Sequence, residues 1–357
     1  MKGENRSILK VASIYVATII GAGFASGQEI VQFFSSYYEG GFYGIMVAGI
    51  LFALIGYVVL DKVYTERIRN YEELLFPSVG WFLGWVIEIA VSLFMLSVFC
   101  IMMAGVSSVL VEKLGIQFRS GVILASVICV IIILSDIKGI VTLSTVLTPV
   151  LILGILFVGL FIILYKDNPV FNIHSAFSSV TKNWFFSALI YVGYNSIISI
   201  VVMCGMLPQL KTRKTGKAGG IVGGLSLCFI AFLINAAIYI FNPDSISKEL
   251  PVLSITEKYG NALNGFYSAI LLLAMFVSAV TSGYGFIDRL SGKVNINKKF
   301  LVVVVCILAI PLSGFGFSNL ISTVYPLFGY IGLFVVIVIL AQNLRLRPIH
   351  LFKKRNK

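Results

Sequence analysis

Ile14-Tyr-Val-Ala-Thr-Ile-Ile-Gly-Ala-Gly-Phe-Ala-Ser-Gly-Gln-Glu-Ile-Val-Gln-Phe-Phe34 is apolar enough to cross a bilayer as a helix, yet Gly21, Gly23, Ser26 and Gly27 sit about midway through it. Each glycine costs about 1 kcal/mol of helix stability relative to alanine. Interrupted backbone at bilayer depth is tolerated only where it lines a cavity or is buried in protein. The stretch 21–27 therefore reads as a break that exposes peptide groups inside the membrane. Close helix packing through small residues is the competing reading.

The rest of the chain fits a membrane setting. Of its 357 residues, 59% are hydrophobic and 12% charged, and the mean hydropathy is +0.99. A soluble domain of this size needs a charged surface that this composition lacks. Met1 to Lys10 is polar and basic, but the apolar run continues through Gly21 without a small-residue cleavage site, so the first span is expected to be retained. Cys100, Cys129, Cys204, Cys228 and Cys306 fall inside apolar segments at no metal-ligand spacing, and read as small packing residues. His174 and His350 lie outside the spans, which argues against a histidine metal site.

At roughly 20 apolar residues per crossing, ten spans are expected, near 8–37, 41–61, 80–111, 119–135, 139–165, 182–207, 217–241, 261–287, 299–313 and 317–343. With the N-terminus inside, 21 of the 27 basic residues fall on the cytoplasmic side, six of them in the tail 344–357. The outer loops hold only Lys113, Arg119, Lys166, Lys182, Lys248 and Lys258. This asymmetry is the positive-inside pattern. It turns the net charge of +12 into a topology signal and away from nucleic acid, with both termini cytoplasmic at the cell membrane.

Span six has a second weak point, Tyr191-Val-Gly-Tyr-Asn195, around Gly193. Spans one and six open two five-span halves, 8–165 and 182–343, within a single domain 1–343. An odd number of spans per half inverts one half relative to the other. Interrupted segments at matching positions of inverted halves mark the binding site of a carrier.

Ten spans, an interrupted first helix and Thr281-Ser282 in span eight resemble the LeuT-type fold of the amino acid–polyamine–organocation superfamily. The run Gly-Ala-Gly-Phe-Ala-Ser-Gly-Gln-Glu29 is similar to that of YkvI-type membrane proteins. The resemblance implies an all-α integral membrane protein with a 5+5 inverted repeat and discontinuous helices 1 and 6. It also implies a sodium ion held by the carbonyls of Gly21, Phe24 and Ser278 and the hydroxyls of Thr281 and Ser282. Such an oxygen-only site suits a hard cation. Span five reads Thr142-Leu-Ser-Thr-Val-Leu-Thr-Pro149, without the lysine that replaces the ion in proton-coupled relatives. Hydroxyls bonding back to their own helix are the bland alternative.

Two carboxylates, Glu29 and Glu88, lie within the spans with no Lys or Arg at comparable depth. A lone intramembrane carboxylate is costly and points to function. Three roles compete: holding an amine, carrying a proton, or structure. For Glu29 the structural role is specific, because Ser26-Gly-Gln-Glu29 is a capping box. A substrate carboxylate is expected on the amides of Ala25, Ser26 and Gly27, beside Ala22 and Gly23, with its amine towards Glu88 or span six. Tyr191, Gly193, Tyr194 and Asn195 complete the expected wall. The stretch 244–260, beside Pro243, resembles a helical hairpin lid, and Arg6 with Asp288 is a candidate inner gate.

The expected protein is thus a Na⁺-coupled symporter of a small amino acid or related amine, and not an enzyme. Its partners are that solute and the bilayer, with no obligate protein partner implied. The alternative is a proton-coupled amine or cation exchanger using Glu88 or Glu29. A channel, a membrane sensor or a membrane enzyme lacks the pore, soluble domain or catalytic cluster each requires.

Overall fold

The glycine-rich stretch stops the first helix twice. In the computed structural model, which describes residues 2–135, 137–165, 180–241, 247–292, 294 and 296–352, α1 covers Lys2–Ile19, α2 Ala22–Ser26 and α3 Gln28–Phe33. At the first stop Gly21 is extended, with φ −103° and ψ −172°. Its N–H turns back only two residues, to the Ile19 carbonyl at 2.9 Å. At the second stop Gly27 takes φ +83°, a left-handed conformation open to glycine at little cost.

The remaining elements are α4 (Glu39–Glu66), α5 (Tyr71–Val79), α6 (Trp81–Leu114), α7 (Phe118–Ser135), α8 (Ile137–Leu164), α9 (Trp184–Cys204), α10 (Arg213–Ile240), α11 (Pro251–Glu257), α12 (Asn261–Ser291), α13 (Lys298–Ser313) and α14 (Phe317–Phe352). By length and composition six of them can cross a membrane: α4, α6, α9, α10, α12 and α14 as far as Asn343. Shorter apolar helices lie at Phe118–Leu134 and Pro149–Leu164. This is a multi-pass membrane protein, and a helix occupies each of the ten expected intervals.

The expectation of a discontinuous sixth helix is wrong. α9 runs unbroken from Trp184 to Cys204, through Gly193. Gly193 is instead a crossing point with α14, since a Cβ there would strike the Gly329 carbonyl and stand 2.8 Å from the Leu333 amide. Here the missing side chain lets two backbones touch, and no helix bond has to be given up.

Neighbouring helices sort into two groups. α4 packs on α10, and α1 on α10 and α9; α6 packs on α12, and α7 on α13. α14 bridges the groups by lying against α9 and α6. Where α4 meets α10, a Cβ on Gly56 would stand 2.8 Å from Gly220 Cα, so this crossing is backbone on backbone. The five cysteines are free, and all but Cys228 are buried. The expected tail continues α14 as far as Phe352; His174, Pro243, Lys166 and Lys293 lie outside the described residues.

Candidate functional site

Breaking the first helix brings three elements together around α2. Tyr267 of α12 donates to the Ala25 carbonyl at 2.6 Å. α11 rests on the second break, where a Cβ on Gly27 would stand 2.7 Å from Val252 Cγ2. α11 is itself held by Asn264, whose Nδ2 donates to the Leu253 carbonyl and to Thr256 Oγ1, both at 3.0 Å. Glu249, just before α11, accepts from Ser108 of α6. The expected lid is therefore one short helix among the described residues, seated on the broken span.

The capping box does not form. Gly27, not Ser26, precedes α3, and no side chain caps that helix. Ser26 Oγ donates to the Gly23 carbonyl at 2.8 Å and accepts from the Gln28 amide at 3.2 Å. The left-handed turn at Gly27 redirects the chain, so Glu29 points back across the break. Its carboxylate lies over Gly23, where an added Cβ would fall on Oε1 and come within 3.0 Å of Cδ. The hydroxyl of Tyr194 in α9 donates to Glu29 Oε2 at 2.5 Å. Glu29 is 5% exposed, and among the described residues no Lys or Arg pairs with it.

Aromatic rings wall in this carboxylate. Tyr194 stacks on Tyr325 of α14 with centroids 4.5 Å apart, touches Phe33 at 5.4 Å and meets Tyr191 edge-on at 5.5 Å. Phe94 of α6 closes the far side, 5.9 Å from Tyr325. Tyr191 and Tyr325 both lie within electrostatic reach of Glu29. Two buried side-chain oxygens on α3, Gln28 Oε1 and Gln32 Oε1, lack a partner among the described residues. Gln28 Nε2 donates to Ser318 Oγ at 2.5 Å and ties α3 to α14.

Of the expected wall, Tyr191 and Tyr194 reach the site. Asn195 turns its amide onto the Tyr191 carbonyl of its own helix at 3.1 Å, and Gly193 faces α14. Two amides of the expected carboxylate cradle are already bonded within the chain. The Ala25 amide donates to the Gly21 carbonyl at 3.0 Å and the Gly27 amide to the Phe24 carbonyl at 3.1 Å.

Glu88 was expected to lack a cation, and that too is wrong. Arg289, near the end of α12, forms an ion pair with Glu88 Oε1, because α6 and α12 run side by side. The pair lies next to Tyr71 at the start of α5. There burial, reinforced by the Glu88 charge, pushes the Tyr71 phenol above its usual range. The Arg6–Asp288 gate is not formed either: Asp288 pairs with Lys298 at 2.6 Å and accepts from Tyr284 at 3.1 Å.

Gly21 stands next to α12, and a Cβ on it would be 3.8 Å from Ser278 Oγ. Ser282 is half-buried and Thr281 exposed. The carbonyls of Gly21 and Phe24 each accept one backbone bond and keep a second lone pair for a cation. Tyr325, Phe94, Gln28 and Gln32 were missed from the sequence. Each resembles an ordinary packing or interfacial residue, and only the crossing of α3, α6 and α14 assembles them.

No family model matches the chain. It is similar over nearly its whole length to two proteins of Bacillus subtilis (strain 168). One is named "Uncharacterized membrane protein YkvI", 26% identical over 348 residues, 96% of this chain and 98% of that one. The other is named "Uncharacterized protein YyaD", 25% identical over 336 residues, 94% and 96% of the two chains. Among solved structures, Mhp1 in an inward-facing conformation superposes with a TM-score of 0.62 at 13% identity, covering 91% of this chain and 73% of Mhp1. A substrate-bound, outward-open Na⁺-coupled sialic acid symporter gives 0.58 at 15% identity, with 91% and 77% covered. A manganese transporter of Eremococcus coleocola gives 0.58 at 14%, with 97% and 87% covered. At such identities the likeness shows the fold, an all-helical arrangement of the LeuT type.

Proposed function

We propose that this chain is a secondary transporter of the cell membrane, not an enzyme, that moves a small amino acid or related amine by alternating access and is coupled to Na⁺. The observation that carries this reading is the stop of the first helix at Ile19 and its restart at Ala22, at a depth where bare peptide groups are costly unless they serve a ligand. The break adjoins the buried Glu29 carboxylate on one side and Ser278 on the other.

Ten spans with cytoplasmic termini, arranged as the inverted repeats 8–165 and 182–343, account for the packing. The second, third and fourth spans of one half lie against their counterparts in the other, as α4 with α10, α6 with α12 and α7 with α13. A pseudo-two-fold axis in the membrane plane produces such pairing. The outer route is closed in this state by α11 over Gly27 and by Gln28 on Ser318.

The sodium ion sits between the carbonyls of Gly21, Phe24 and Ser278 and the hydroxyls of Thr281 and Ser282. The oxygen-only donors fit a hard cation, and no full negative charge is needed. In this state exposed Thr281 leaves that set open on one side, which is how an ion departs. Proteoliposomes with an imposed Na⁺ gradient test this reading. Solute uptake should require the gradient, and Thr281→Ala with Ser282→Ala should lower the apparent Na⁺ affinity by about tenfold or more. Uptake that follows a proton gradient and ignores both substitutions would instead select Glu29 as a proton carrier. That second reading is supported by the burial of its carboxylate with, among the described residues, only a phenol as donor.

A further inference from the structure

We propose that the solute is a compact organic ammonium ion bearing N–H groups and no carboxylate, held between Glu29 and the faces of Tyr194 and Tyr325. This rests on the carrier reading above and narrows its solute class. Four observations converge on it.

The first is charge. Glu29 is a buried carboxylate that, among the described residues, accepts from the Tyr194 hydroxyl at 2.5 Å. An anion at this depth calls for a cation, and among the described residues the protein supplies none. The second is exclusion. A solute carboxylate at the break meets the like charge that already lies over Gly23, and the amides of Ala25 and Gly27 are spent on internal bonds. A zwitterion therefore gains at its amine and loses at its acid.

The third is the aromatic wall. Ring faces attract ammonium groups, more strongly where water is excluded, and Tyr194, Tyr325, Phe33 and Phe94 cluster here with centroids 4.5 to 6.3 Å apart. The fourth is the unpaired acceptors. Gln28 Oε1 and Gln32 Oε1, on the same short helix as Glu29, are buried without donors among the described residues. Buried acceptors of this kind are satisfied by N–H donors, which a protonated amine provides. Metal cations fit less well. Among the described residues no group of three or more Asp, Glu, His or Cys side chains comes together, and a single carboxylate gives a divalent ion too few ligands.

In the closed state Tyr325 lies flat on Tyr194, so the ammonium enters by displacing that ring as α14 parts from α3. The test uses the purified full chain in detergent and in proteoliposomes, with ethylammonium, ethanolammonium, glycine and acetate as probes at fixed sodium. The two amines should raise the unfolding temperature and exchange in counterflow, while glycine and acetate do neither. Glu29→Gln should weaken amine binding by about tenfold or more. Tyr325→Leu should weaken it severalfold, and Tyr325→Phe should retain it because the ring face is kept.

Stabilisation by glycine but not by the amines overturns the inference, as does amine binding that Glu29→Gln leaves unchanged, or no response to either amine. The two readings fail separately. Glycine counterflow without amine binding ends the ammonium assignment and keeps the carrier, whereas Glu29-dependent amine binding without any counterflow keeps the site and ends the carrier.

Discussion

Glu29 and Glu88 are the same side chain at two positions, and their surroundings give them opposite roles. Glu88 lies on α6 beside Arg289 of α12, and the pair is mostly buried, with side chains 7% and 22% exposed. Glu29 has a phenol and aromatic faces but no cation among the described residues. Removing one member of a buried ion pair leaves the other uncompensated, at a cost of about 3 kcal/mol or more. Arg289→Gln and Glu88→Gln should therefore each lower the thermal midpoint, and the double change should recover part of the loss. Glu29→Gln, in contrast, removes a charge that no side chain was balancing, and is expected to leave the midpoint unchanged or raise it. Thermal unfolding of the four variants in one detergent is the check. Additive losses at 88 and 289 would show that the pair is not coupled.

At the scale of elements, two glycine-containing segments of similar appearance behave differently. In the first span, two stops separated by five residues leave α2 too short to persist by itself. It survives because α11 and α12 hold it through Val252 and Tyr267. In α9, Gly193 has helical neighbours on both sides and its helix bonds are intact; what it gives up is volume. A side chain there must push α14 away from α9, because the obstacle is the Gly329 backbone. Gly193→Val should therefore destabilise by about 1–3 kcal/mol, seen as a lower midpoint and reduced yield. A hinge at this position predicts instead a stable protein with impaired exchange, and that result would falsify the crossing-point assignment.

For the whole molecule, orientation follows from where lysine and arginine fall. Lys211, Arg213, Lys214 and Lys217 cluster at the start of α10, and Lys182 stands just before α9. With the positive-inside rule, Lys182→Cys should react with an impermeant maleimide on intact cells. Lys214→Cys should react only after permeabilisation. Both positions are exposed, and four of the five native cysteines are buried and quiet. The reverse labelling pattern would invert the chain and move Glu88 and Arg289 to the outer face.

The sequence by itself determined the membrane setting, the helical class, the places of the helices and the stop near Gly21. Each of these follows from local hydropathy and backbone propensity, which neighbours along the chain suffice to express. It located Glu29, Tyr191 and Tyr194 for the same reason: they lie beside visible glycines. The continuity of α9, the pairing of Glu88 with Arg289, the turning of Glu29 onto Gly23 and the arrival of Tyr325 and Phe94 were decided only by the tertiary structure. Those outcomes rest on contacts between residues far apart in the sequence, 201 positions for Glu88 and Arg289. A crossing of two helices leaves no periodic trace in either one.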